Sequence, residues 1–281
     1  MQKQQNVIDI ATHHEDFRQD GMRFSVSSRK ITHAMGVAEY LKFFYIYTDM
    51  DKVESLFGST TTPAPLYGGR AYKPGHSITD SQRDEMRDLG IGLALTLTTH
   101  LFDDDAYKKT LPLLRENHRT GNSVICTNDE LARRVRQDFP DYNLKASIIK
   151  HITTLEGIEE ALALYDYVVI PMDLNDDDQF LMSIQRKDRI MLFGNASCAY
   201  TCPARTCYRS FSKKNFGLEA ENTCSKKLGI ERLEVGEVYF NVAKFKQMGF
   251  SLFKMVPPTS KAPIAAIEKF SARKRSMSDA Q

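Results

Sequence analysis

The chain has five cysteines in 281 residues, and four of them fall together: Cys198, Cys202 and Cys207 in close succession, with Cys224 closing the group. Thiols this dense in a chain otherwise almost free of them usually share one centre. The spacing is C-x3-C-x4-C-x16-C. It is neither the paired CxxC of a zinc ribbon nor the C-x3-C-x2-C of radical-SAM enzymes, whose third thiol would fall at Arg205. On ligand type alone, four thiolates suit a tetrahedral zinc or an iron–sulfur cluster equally. A disulfide is the third option, but adjacent thiols in a thiol-poor chain of this size point to a reducing compartment. Metal binding is therefore favoured over incidental or redox-active cysteines. Cys126 lies on an apolar strand pattern and is expected to stay apart as a small buried hydrophobe.

Other polar groups collect where strand patterns give way to helical ones. Asp103-Asp104-Asp105, Asn128-Asp129-Glu130 and Asp173-Leu174-Asn175-Asp176-Asp177-Asp178 each follow a candidate strand. They could line a pocket for a hard cation. Because each run directly precedes a helical pattern, helix capping is the favoured reading. Asn128 and Asp173 sit closest to their strand ends and are the two expected to face a ligand. The loop Leu66-Tyr67-Gly68-Gly69-Arg70 offers a different chemistry. Its paired glycines let backbone approach a bound group, which Arg70 could grip through a carboxylate or phosphate; a surface turn is the equal alternative. His100 reads as a satisfied structural histidine. His13-His14-Glu15 are sequence neighbours, which do not face one site on a helix or strand. There is no Ser/His/Asp set and no H-E-x-x-H helix, so proteolysis lacks both a nucleophile and an activated water.

The elements that must position these groups alternate. Candidate strands are 24–28, 44–48, 91–98, 123–127, 143–149, 167–172, 190–193 and 251–256. Helical patterns lie between them, clearest at 106–118, 129–138, 155–165 and 177–186. In the third of these, Leu155, Ile158, Leu162 and Tyr165 share one face. Such alternation implies parallel strands joined by right-handed crossovers, and about eight units close a TIM-like (β/α)8 barrel. An open doubly wound sheet is the rival, but no Gly-x-Gly-x-x-Gly follows the first strand.

The segment Gly194-Asn195-x-x-Cys198-x-x-x-Cys202-Pro203-x-Arg205 resembles the signature of the collagenase-like peptidase (U32) superfamily, in particular its shorter bacterial and phage-borne members. Gly68-Gly69-Arg70, Leu144-Lys145-Ala146-Ser147 and Lys246–Lys254 are similar to further family segments, so the likeness runs over about residues 22–256. The resemblance implies an irregular (β/α)8 barrel with a four-iron four-sulfur cluster on Cys198, Cys202, Cys207 and Cys224. It also implies redox chemistry of the oxygen-independent hydroxylation type on an anionic small molecule or nucleic-acid acceptor. The alternatives are a peptidase or a structural zinc clamp. Two departures stand out. The longer family signature with its His-Gly and Ser-Gly elements is absent, and Cys207-Tyr208 stands where many short relatives carry His.

Composition sets the remaining expectations. Hydrophobic residues make up 42% and charged residues 26%, the profile of a globular protein, and a net charge of +2 neither favours nor excludes nucleic acid. A polar start and the lack of any run of membrane-spanning length predict a cytoplasmic protein without a membrane span. Residues 1–20 are expected to form a polar arm, 21–258 the barrel with its Cys-rich loop 194–224, and 259–281 a basic helix or tail. Lys269, Arg273, Lys274 and Arg275 on that tail are a weak pointer to RNA. Arg205, Arg70 and Gly69 are expected to bind the anionic substrate with Asn128 and Asp173, and a protein electron donor is the further partner.

Overall fold

A computed structural model describes residues 6–68, 75–202, 204–221, 223–230 and 237–258. Eight parallel strands close into a barrel. In chain order they are β2 (Arg23–Ser27), β3 (Val53–Gly58), β4 (Gly92–Leu97), β5 (Ser123–Cys126), β6 (Asn143–Ala146), β7 (Tyr167–Val169), β8 (Ile190–Phe193) and β11 (Leu252–Met255). The last pairs with both β8 and β2 and completes the ring. A small antiparallel sheet joins β1 (Val7–Ile8), β10 (Val238–Phe240) and β9 (Asn195–Ala196). The helices are α1 (Ile10–His13), α2 (Val37–Phe44), α3 (Asp80–Asp88), α4 (Asp104–Asn117), α5 (Asp129–Asp138), α6 (Leu155–Leu162), α7 (Asp178–Ser183), α8 (Thr206–Asn215) and α9 (Val242–Gln247).

Two expectations change. Residues 44–48 are not a strand: Val37, Tyr40, Leu41 and Phe44 repeat at helical spacing, and α2 runs through Phe44. Just beyond it, the Tyr45 hydroxyl donates to the carbonyl of Ser27 at 2.7 Å, as does that of Tyr40 at 2.5 Å, anchoring α2 to the end of β2. The second barrel strand is instead Val53–Gly58. Nor are residues 6–20 a polar arm. Val7–Ile8 pair with β10, and Phe17 is fully buried, stacked 6.2 Å from Phe24. The candidate tail 259–281 lies outside the described residues.

The barrel strands are buried on both faces, and the two faces differ. Phe24, Val26, Leu56, Leu93, Leu95, Val124 and Leu144 alternate with Ser25, Ser55, Thr96, Ser123 and Lys145 along their strands. The first set forms the apolar layer under the helices. The second gives the barrel a polar interior, in which the Ser25 and Ser55 hydroxyls lie 2.8 Å apart. Below them, the Lys145 ammonium donates to the Glu54 carboxylate at 2.6 Å. Their strands, β3 and β6, are separated by two others, so this ion pair spans the barrel. The register between β2 and β3 skips Glu54, which frees its side chain for this contact.

Candidate active site at the barrel mouth

The strand C-termini surround a cavity of about 970 Å³. Its wall includes the ends of β2 (Ser27, Ser28), β3 (Phe57, Gly58), β4 (Thr96, Thr98) and β6 (Ser147), with Lys254 of β11. α8 roofs it through Tyr208, Phe211 and Asn215. That helix is tied down twice: the Asn215 amide donates to the carbonyl of Tyr67 at 3.1 Å, and the Ser212 hydroxyl meets His100 Nδ1 at 3.0 Å. His100 is thus a support for the roof, and burial, aided by Arg209, holds its pKa below the ordinary value. Gly68 packs so closely on β4 that a Cβ there would stand 2.3 Å from the carbonyl carbon of Thr98. No larger residue fits without displacing the loop. Gly69 and Arg70, its neighbours, lie outside the described residues. A second, smaller cavity of about 370 Å³ opens at the opposite end, beside Glu54, Lys145 and Arg119. In barrels of this kind the C-terminal face carries function and the N-terminal face stability.

Lys254 is the group in this cavity that sequence reading did not single out. Its side chain is 6% exposed, and its ammonium lies 3.7 Å from the centroid of the Phe57 ring. Among the described residues no hydrogen bond or ion pair holds its Nζ, because the nearby Glu54 carboxylate is engaged by Lys145. Burial, reinforced by the Lys145 charge and opposed by Glu54, pushes its pKa down to about 7. The signal was present in the sequence as strand parity: Leu252, Lys254 and Val256 share one face of a strand, and that face proves to be the barrel interior.

The other expected groups are distributed differently. Asn128 caps α5, accepting from Leu131 N at 3.1 Å, as Asp103 caps α4 and Asp177 caps α7. Asp173 is no cap. It accepts from Arg205 Nη2 at 2.9 Å, while Arg205 Nη1 donates to His151 Nδ1 at 2.8 Å. His151 and Arg205 are the two non-glycine residues in left-handed conformation among those described, with φ of 55° and 46°. Their contact fastens the loop after β6 to the thiol-bearing segment. None of Asn128, Asp173 and Arg205 lines the large cavity.

Asn195, from the cysteine motif, is fully buried and clamps the end of β11. Its amide donates to the carbonyl of Val256 and its carbonyl accepts from Val256 N, both at 2.8 Å. Gly194 sits where a Cβ would meet Met255 Sδ at 2.6 Å. These two motif residues therefore join β8 to β11. The cysteine segments also converge. Cys202 is 7% exposed, and its Sγ lies 3.2 Å from the Ser225 hydroxyl and accepts from Arg205 N at 3.4 Å. Ser225 adjoins Cys224 and also receives Thr206 N at 3.4 Å, next to Cys207. Cys198, Cys207 and Cys224 are half-buried. The segments meet, and among the described residues no group of three or more His, Cys, Asp or Glu side chains is placed to hold a metal ion. Cys126, fully buried on β5, lies apart from the motif, and burial raises its pKa.

No family model and no curated protein matches this sequence. Among solved structures, that of the U32 peptidase Mk0906 is similar, with a TM-score of 0.58 at 15% identity over 87% of this chain and 96% of that one. At that identity the likeness establishes the shared barrel fold. Among the described residues no helix is long and apolar enough to cross a membrane.

Proposed function

We propose that the chain is an enzyme that binds an anionic small molecule in the mouth of its barrel and modifies it there. The observation that carries this reading is the sign of the cavity. Its described lining residues include Arg29, Lys30 and Lys254 and no aspartate or glutamate, with hydroxyls from Ser27, Thr96, Thr98 and Ser147. A concave site of one sign, walled by low-dielectric protein, concentrates the opposite charge. The likeness to a U32 peptidase structure supports the barrel frame. The redox part of the proposal rests on the cysteine spacing and the motif resemblance: Cys198, Cys202, Cys207 and Cys224 would take up a four-iron four-sulfur cluster, or zinc in the non-redox alternative, after the contacts of Cys202 give way. A nucleic-acid acceptor and a protein electron donor belong to the same proposal.

The test of the binding reading is ligand-observed NMR with small carboxylates and phosphates beside their neutral amide or alcohol analogues. Anions should bind, with affinity falling as salt is raised and falling again in Lys254→Met. Equal binding of the neutral analogues, or binding unaffected by Lys254→Met, would remove the reading.

A further inference from the structure

We propose that Lys254 is a nucleophilic amine that forms an imine with the carbonyl group of an anionic oxo compound bound in the mouth cavity. This deepens the anion-binding reading above and rests on it.

The geometry has three parts. Lys254 lies level with Ser25 on β2 and Phe193 on β8, and its Nζ lies against the Phe57 ring of β3, within the large cavity. Its amine is held by no hydrogen bond or ion pair among the described residues, so its lone pair is not committed to a protein donor. The cavity also contains Arg29 and Lys30, whose charge suits the anionic end of a bound molecule. The charged groups acting on the amine are Lys145 from β6 and Glu54 from β3. Burial, and after it the Lys145 charge, favours the neutral amine, and Glu54, committed to Lys145, opposes this only in part. Near neutral pH a far larger share of the amine is then neutral than in an ordinary lysine. A structural lysine could satisfy itself with the Phe57 ring alone. A buried amine that opens on a large, mainly apolar cavity and lacks a counter-ion of its own is instead the arrangement of a nucleophilic lysine.

The chemistry balances without an oxidant or reductant. The Nζ lone pair attacks the carbonyl carbon, and the C=O π pair moves to oxygen. Nitrogen gives up a proton and oxygen takes one, leaving a carbinolamine. Protonation of its hydroxyl releases one water, and the nitrogen lone pair closes the C=N bond. The imine draws electrons from the adjacent carbon, so the bond or proton next to the former carbonyl becomes labile.

The experiment uses the full chain with pyruvate or glyoxylate as probe and sodium cyanoborohydride as trap, read by intact mass and peptide mapping. The expected result is a single adduct on Lys254, formed at pH 8, much reduced at pH 5.5 and missing from Lys254→Met and Lys254→Arg. Binding of the same probes is followed by NMR without the trap. Binding without an adduct on Lys254 overturns the nucleophile and leaves the anion site standing. Labelling spread evenly over surface lysines overturns it likewise. If neither these probes nor their non-carbonyl analogue lactate binds, both readings fall.

Discussion

Replacing Lys254 by Met should stabilise the protein, and by an amount that depends on pH in a defined way. Methionine fills a similar volume beside Phe57 and carries no charge to desolvate. In the native state the Lys254 pKa is pushed down to about 7, while in the unfolded chain it returns to its ordinary value of 10.5. The folded pKa is the lower one, so between about pH 7 and 10.5 the unfolded state binds the extra proton. Stability therefore rises with pH across that window, by roughly 1.4 kcal/mol per unit. Below pH 7 both states are protonated and the cost of burying the ammonium is constant, with an upper bound of about 5 kcal/mol. Near pH 9 it has shrunk to about 2 kcal/mol. The stability difference between Lys254→Met and wild type should follow the same course, since other titrating groups are common to both proteins. Urea denaturation of the two at pH 6, 7.5 and 9 reads the difference directly. A gap that does not change with pH, or a variant less stable at every pH, would show that Lys254 is not a desolvated amine and would refute the reasoning.

Glu54→Gln leaves the Lys145 ammonium buried without its 2.6 Å partner and should cost about 3 kcal/mol in denaturant unfolding, while lowering the pH at which Lys254 is trapped by cyanoborohydride. Unchanged stability would argue that water already solvates Lys145. Asn195→Ala removes both 2.8 Å bonds to Val256 from a buried site and should cost about 2–4 kcal/mol, with a lower melting temperature as the readout. Asp173→Asn breaks a partly exposed pair and should cost no more than about 1 kcal/mol. A larger loss would mean that the Arg205–His151 contact depends on it. Protein purified without oxygen should contain iron and sulfide that Cys202→Ala lacks; colourless, zinc-loaded wild-type protein would remove the redox proposal and leave a structural clamp.

The barrel could be read in the sequence because its signals are local. The apolar runs around Leu93, Val124 and Val168 are followed by acidic or Asn-rich junctions, and these cap the helices as the capping reading expects. The second strand was missed for a local reason too. Phe44–Thr48 is as apolar as a strand, but its first residue completes the helical repeat of Val37, Tyr40 and Leu41, and a five-residue window cannot register that. The arm before Gly21 was misjudged because Phe17 is a lone aromatic among polar neighbours, and only the fold reveals the surface that buries it.

The site was less legible, because its electrostatics arise between strands distant in sequence. Lys145 and Glu54 are 91 positions apart, and nothing near either marks them as partners. Lys254 becomes unusual only once that pair has consumed the available carboxylate. An interior with one anion and two cations leaves one cation uncompensated, and the lysine nearer the mouth cavity is the one left over. A barrel selected for stability alone would replace that lysine with an apolar residue, as its neighbours Phe253 and Met255 illustrate on the opposite face of the same strand. Keeping it imposes a cost on the fold in the pH range where the unfolded chain holds the proton. The cysteine motif divides along the same line: Gly194 and Asn195 weld β8 to β11 and so fix the strand that bears Lys254, whereas the thiols flank the helix that roofs its cavity, Cys198 and Cys202 before it, Cys207 in its first turn and Cys224 after it. The motif is therefore coupled to the barrel mouth through the backbone of β11, whatever its thiols hold.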